Sequence, residues 1–252
     1  MHKISVIILT KNSKKYIKEC LNALVTFDEI IIVDNGSTDN TLEIVKEFKN
    51  IVIFKHDFIG FGPLKNLAIS YAKNDWVLSI DSDEIFTQKL IDEIFTLDLN
   101  KECIYSIKRD SYYNGKVIKC CGWNNDFVLR LFNQKITQFN VNQVHESLKI
   151  KGLNIIKLKN TFKHYSFDNA SELLSKMNHY STLWAIDNQH KKISMSMIVI
   201  KTIVAFIKFF ILKGGIFAGY RGFLISTSNA MGVFYKYIKL YELQNNTIIF
   251  TK

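Results

Sequence analysis

The 252-residue sequence contains one proline, Pro63, and no stretch rich in glycine or serine. Breakers of that kind mark linkers, so no flexible hinge between independent domains is expected. Four cysteines occur, Cys20, Cys103, Cys120 and Cys121, and none forms a Cys-x-x-Cys pair. That excludes the usual zinc spacings. Cys20 falls on the apolar face of an expected helix, as a buried thiol would, and the adjacent Cys120 and Cys121 read as free thiols in a reducing compartment. No uninterrupted apolar run reaches the roughly 20 residues that span a bilayer, because Lys201, Lys208 and Lys213 break the most apolar region. Acids are in deficit, 23 against 33 lysines and arginines, for a net charge of +10. The expected partner is anionic: nucleic acid, an anionic membrane or a phosphorylated small molecule. The start, MHKISVIILTK, runs into a strand without a small-residue cleavage site, which makes the cytoplasm the expected compartment.

What is present is a core. A 48% hydrophobic content excludes a disordered polar chain. ISVIIL (4–9), IIIV (30–33), 51–54 and 76–80 are continuous apolar runs of strand length. Between them, Ile17, Cys20, Leu21 and Leu24, then Leu42, Val45 and Phe48, then Leu64, Leu67, Ala68 and Tyr71 recur at helical spacing. Strands alternating with helices predict a parallel sheet covered on both faces. Ligands bind such sheets outside the carboxyl ends of the strands, which puts 10–12, 34–39 and 81–83 on one rim. Residues 100–165 are less regular, 171–187 look helical, and the apolar C-terminal region with its spaced lysines suits either a membrane interface or a core helix.

Three clusters on this outline carry chemistry. In IIVDNGSTDNT, Ser37, Thr38 or Asp39 can cap a helix, whereas Asp34 ends the strand before the turn and can accept bonds from a nucleobase N–H or a ribose hydroxyl. In LSIDSDEIF, Asp81 and Asp83 alternate, so in an extended segment both carboxylates could address one hard cation such as Mg2+ or Mn2+. The plainer reading is that these acids precede a helix start. In VNQVHESLK, Glu146 beside His145 could supply a general base or be an exposed acid.

The order ISVIILTKN, DEIIIVDNGSTDNT, GFGPLKNLAI, DWVLSIDSDE, VHES resembles the family 2 inverting glycosyltransferases of GT-A fold. Within them it is similar to the lipopolysaccharide inner-core β-1,4-glucosyltransferase group of bacteria, and the later YRGF segment fits that group. The resemblance implies an α/β, Rossmann-like, mostly parallel sheet over 1–165 and a helical, membrane-associating extension over 166–252. It implies a nucleoside pocket lined by Thr10, Asn12, Asp34 and Asp39, and Lys65 near the nucleotide. Asp81 would lie at the ribose and sugar, Asp83 on a Mg2+ or Mn2+ ion bridging the diphosphate, and Glu146 would be the catalytic base. Arg130 and His164 are further candidates for the donor or diphosphate, His164 also for the metal, and Arg221 could clamp phosphate or be a surface charge. His2, His56, His179 and His190 have no motif around them. The implied reaction moves a hexose, glucose from UDP-glucose, to a hydroxyl of a lipopolysaccharide or lipooligosaccharide core sugar, at the inner face of the cytoplasmic membrane. A peptide, protein or other glycan acceptor is the alternative.

Two other classes compete. Nucleic-acid binding would use the positive charge, but the basic residues are dispersed and the acidic rim repels phosphate unless a metal is bound. A nucleotidyltransferase would normally bring a glycine-rich first loop, where this chain has TKNSKK. The nucleotide-sugar donor and an anionic membrane surface are therefore the expected partners, and nucleic acid is not.

Overall fold

Continuous apolar strands bury both faces, and that requirement builds the first half of the molecule. The computed structural model describes residues 2–141 and 146–245. Strand β1 (Ile4–Thr10) is flanked by parallel neighbours β2 (Glu29–Asp34) and β4 (Trp76–Asp81), with β3 (Ile51–Lys55) parallel to β2 at the edge. Val6, Ile8, Ile30, Ile32, Val77 and Leu78 are fully buried, as a sheet covered on both faces demands. Helices α1 (Ile17–Ala23), α2 (Thr41–Val45) and α3 (Phe61–Ser70) connect these strands. Pro63 lies in the first turn of α3, where its missing N–H costs no helical bond.

Beyond β4 the direction reverses. β5 (Glu84–Phe86) leads to α4 (Gln88–Thr96), and β6 (Cys103–Tyr113), β7 (Lys116–Val117), β8 (Asp126–Asn133) and β9 (Asn154–Phe167) complete a nine-stranded sheet. Its order is β3-β2-β1-β4-β8-β6-β9-β5, with β7 on β6. The pairs β4–β8, β6–β8 and β5–β9 are antiparallel. The class is α/β, and the sheet is mixed, with a parallel half (β3-β2-β1-β4) and an antiparallel half. The antiparallel half matters for the site because it returns Arg130 and His164 to the rim.

Contacts divide the chain into two compact units, 1–110 with 125–164, and 111–124 with 165–252. Among its described residues the second unit holds α5 (Ala170–Asp187), α6 (Met195–Ile207) and α7 (Gly219–Gln244). A π-helical turn (Lys208–Leu212) and a 3-10 turn (Gly215–Ala218) join α6 to α7. A Cβ at Gly222 would lie 1.8 Å from the Gly215 carbonyl oxygen, so the hairpin closes only around glycine there. Lys239 of α7 donates to Asn178 O and Oδ1, Ser181 Oγ and Thr182 Oγ1 of α5 at 2.8–2.9 Å. Cys121 Sγ, buried beside Cys120, lies 3.3 Å from Ser226 Oγ. All four cysteines are free and buried, Cys20 on the inner face of α1 as its spacing predicts.

Candidate active site

The register of the parallel half sets the rim. Thr10 pairs with Asp34 across β1–β2, and Leu9 with Asp81 across β1–β4, so the carboxyl ends of three adjacent strands present Thr10, Asp34 and Asp81 side by side.

Asp34 is 1% exposed, and both its oxygens are engaged. Oδ2 accepts from Gly36 N and Ser37 N at 3.1 Å, and Oδ1 accepts from Ser37 Oγ at 2.5 Å and Thr10 Oγ1 at 3.2 Å. Four donors fill the roughly four lone-pair sites of a carboxylate. Asp34 therefore builds the DNGSTD turn from beneath. Asn12, at φ 53°, accepts from Thr38 N at 2.8 Å through Oδ1, while its own N–H donates to Ser37 Oγ at 3.0 Å. These bonds tie the first loop to the second. The cap of α2 falls on Asn40, one residue past the three candidates, without a side-chain bond. Asp39 instead accepts from Thr41 N at 3.0 Å and Lys14 N at 3.3 Å, and the Thr41 hydroxyl holds its carboxyl below the usual range.

The LSIDSDEIF stretch is strand, turn and strand. β4 ends at Asp81, Ser82 and Asp83 form the turn, and β5 begins at Glu84. The helix-start reading of these acids does not hold, since α4 begins only at Gln88. The first loop reaches this turn through Ser13 Oγ, 2.7 Å from Ser82 Oγ. Asp81 and Asp83 address different partners. Asp83 Oδ2 lies 3.4 Å from His164 Nε2, which the β5–β9 register brings opposite Glu84. Asp81 Oδ2 accepts from Arg130 Nη2 at 2.7 Å, and Asp81 Oδ1 lies 3.4 Å from Lys65 Nζ.

Glu84, fully buried beneath Asp81, is the residue that sequence reasoning missed. It pairs with Arg130 Nη2 and accepts from Asp81 N at 3.1 Å. Burial pushes Glu84 up to about 7 against the pull of Arg130, with the Asp81 charge adding to the rise. For Asp81 the balance falls the other way. Burial opposes its charge, but Arg130 and then Lys65 outweigh it and hold the carboxyl well below the ordinary range. Arg130, 5% exposed, has a buried Nε with no hydrogen-bond partner among the described residues and a guanidinium 5.9 Å from the Phe162 ring centre.

Glu146 joins this network. Its Oε1 is 2.7 Å from Lys65 Nζ, and its side chain is 19% exposed, against 5% for Lys65. An ammonium buried this far needs compensation. Lys65 finds it in two carboxylates and in the face of Phe139, 5.3 Å from the ring centre. The adjacent Asn66 fixes Phe139, donating to its O at 3.0 Å and accepting from its N at 2.9 Å. Thus α3 both fixes Phe139 and supplies the cation that Glu146 faces. His145 lies outside the described residues, and Arg221 lies on α7 in the second unit. Among the described residues no group of three or more His, Cys, Asp and Glu side chains is placed to hold a metal.

Residues 5–139 match the family described as Glycosyl transferase family 2. An uncharacterized glycosyltransferase of Rickettsia typhi is 34% identical over 96% of this chain and 88% of its own length, and one of Rickettsia prowazekii matches to the same extent. A poly(ribitol-phosphate) beta-N-acetylglucosaminyltransferase, TarS of Staphylococcus aureus, is 37% identical over 36% of this chain and 18% of its own. A structure of S. aureus TarS 1-349 in complex with UDP-GlcNAc has a TM-score of 0.49 at 16% identity, covering 97% of this chain and 92% of that one. The chain is a transferase of glycosyl groups. It belongs to glycosyl transferase family 2.

Proposed function

We propose that the chain is an inverting hexosyltransferase that uses a nucleoside diphosphate sugar and Glu146 as its base. The observation that supports this most is the sharing of Lys65 between Glu146 and Asp81, which sets a partly exposed carboxylate beside the rim where the donor would lie. Glu146 takes the proton of the acceptor hydroxyl as its oxygen bonds to the anomeric carbon, and the bond from that carbon to the diphosphate breaks on the opposite face. One displacement turns an α-linked donor into a β-linked product. Lys65 orients Glu146, and Arg130, anchored by Glu84, holds Asp81 at the sugar and ribose. Thr10, Asn12, Asp34 and Asp39 form and support the nucleoside loops.

Asp83 and His164 would hold the divalent ion. A carboxylate oxygen and an imidazole nitrogen 3.4 Å apart fit two positions of a Mg2+ or Mn2+ shell, with diphosphate and water completing it. When bound, the ion would offset the negative charge growing on the leaving diphosphate.

The donor proposed is UDP-glucose, and the acceptor a core sugar of lipopolysaccharide or lipooligosaccharide at the cytoplasmic membrane face. The N-acetylglucosaminyltransferase among the relatives makes UDP-N-acetylglucosamine the second donor to try. The test is release of nucleoside diphosphate from a panel of nucleotide sugars with Mg2+ or Mn2+, alongside Asp83→Ala. Metal-dependent release of UDP from one sugar, lost in the variant, supports the reading. Release of pyrophosphate, or of nothing with glycolipid and oligosaccharide acceptors present, overturns it.

A further inference from the structure

Helix α6 is inverted relative to a helix of a globular core, where the polar face meets water. Its inward residues are Ile198 and Ala205, both buried. Its outward residues are also apolar: Val199, Ile200, Ile203, Val204 and Ile207 are 43–60% exposed. These recur at three- and four-residue steps, so they form one stripe along the helix. The stripe continues through Ile211 and Leu212 to the tip of the hairpin, where Leu212 is 75% and Phe217 90% exposed. Single exposed leucines need no explanation, but a contiguous apolar face of this length marks an interaction surface.

Charge identifies what covers it. Between Asp187 and Glu242 the sequence carries eight lysines and arginines and no acid. Lys191, Lys192, Lys208 and Lys213 are exposed around the stripe. An apolar face rimmed by cations and free of anions complements the acyl boundary and the headgroups of an anionic bilayer. A second copy of the chain would bring the same positive rim against itself. Met195–Leu212 has the length and composition to cross a bilayer, with 11% of it buried. However, Lys201 and Lys208 lie within that stretch and α6 packs along α7, so the helix lies along the surface.

We infer that the outer face of α6 and the Leu212–Phe217 tip form an in-plane docking surface for an anionic lipid bilayer. This stands on the helical unit alone and does not depend on the transferase reading. The test is flotation of the full chain with vesicles of phosphatidylcholine, with and without anionic phosphatidylglycerol to give a negative surface, in the absence of donor and acceptor. Binding to the anionic vesicles is expected, falling with salt. The pair Lys208→Gln and Lys213→Gln should weaken it about twenty-five-fold, at about fivefold per lysine. Ile203→Ser with Ile207→Ser, both solvent-facing, should weaken it by at least about tenfold per residue. A Phe217→Trp variant should be quenched by lipids brominated near the headgroup more than by those brominated at the chain end. No flotation with either vesicle overturns the inference. So does binding that ignores lipid charge and resists carbonate extraction, which would be a spanning helix. Self-association lost in the isoleucine pair, without vesicle binding, would assign the face to a second copy.

Discussion

Lys65 Nζ lies 2.7 Å from Glu146 Oε1 and 3.4 Å from Asp81 Oδ1, so one buried ammonium serves two carboxylates brought together from a strand end and a distant loop. Replacing it with an uncharged side chain leaves both acids without that counter-charge, while keeping the volume.

Lys65→Met should therefore lower transfer about a hundredfold, at the lower end of what a misplaced general base costs, and Lys65→Arg should recover part of it. The Asp81 titration, followed by carboxyl NMR, should move upward in Lys65→Met, because Arg130 then works against burial without the help of Lys65. The sign for stability follows. Asp81 titrates lower in the folded state than unfolded, so its contribution is present above the ordinary carboxylate range and lost as pH falls towards the depressed value. With less depression, acid unfolding of Lys65→Met should begin at higher pH than in the wild type. Identical acid-unfolding curves would remove Lys65 from this role.

Glu84 carries the opposite pH dependence. Burial raises it to about 7, whereas an unfolded glutamate ionises near 4.5. Between those values the folded chain holds a proton that the unfolded chain has lost, so stability falls as pH rises from about 4.5 to about 7. The full difference corresponds to about 3 kcal/mol. Glu84→Gln cannot ionise, so its urea midpoints at pH 5 and pH 7 should converge relative to the wild type. An unchanged wild-type slope in the variant would assign it to other groups.

Asp34→Asn tests the turn. Two backbone N–H groups and two hydroxyls converge on the carboxylate, and an amide presents donors to some of them. A loss of about 1–3 kcal/mol is expected, with weaker UDP binding because the first two loops share these bonds. Calorimetric titration with UDP and a thermal melt measure both. UDP affinity unchanged despite a lowered melting temperature would confine Asp34 to structure.

Much of the parallel half is legible from the sequence, because a strand buried on both faces is a continuous apolar run, as IIIV at 30–33 is. The helix spacing of Ile17, Cys20, Leu21 and Leu24 is equally direct, and all four are buried. Glu84 is not legible. It stands beside Asp83 in a row of acids, and its burial is made tolerable chiefly by Arg130, returned by an antiparallel strand. For the same reason the alternation of Asp81 and Asp83 suggests one shared cation, while the turn between them sends each to its own partner. The VHES motif singles out Glu146, but its pairing with Lys65 depends on α3, whose Asn66 also fixes Phe139. The face of α6 is hidden for a different reason: where nearly every position is apolar, periodicity no longer says which side is out.

The most direct measurement is a comparison of wild type and Glu146→Gln for two quantities, transfer rate to the acceptor and affinity for the nucleotide sugar. With Glu146 as base, transfer falls about 10²–10⁴-fold, while donor affinity stays within about twofold, since the amide retains the side chain's shape and the donor rests on other residues. Transfer retained in Glu146→Gln, or donor binding lost in parallel with it, would contradict the assignment and place the proton acceptor elsewhere on the rim.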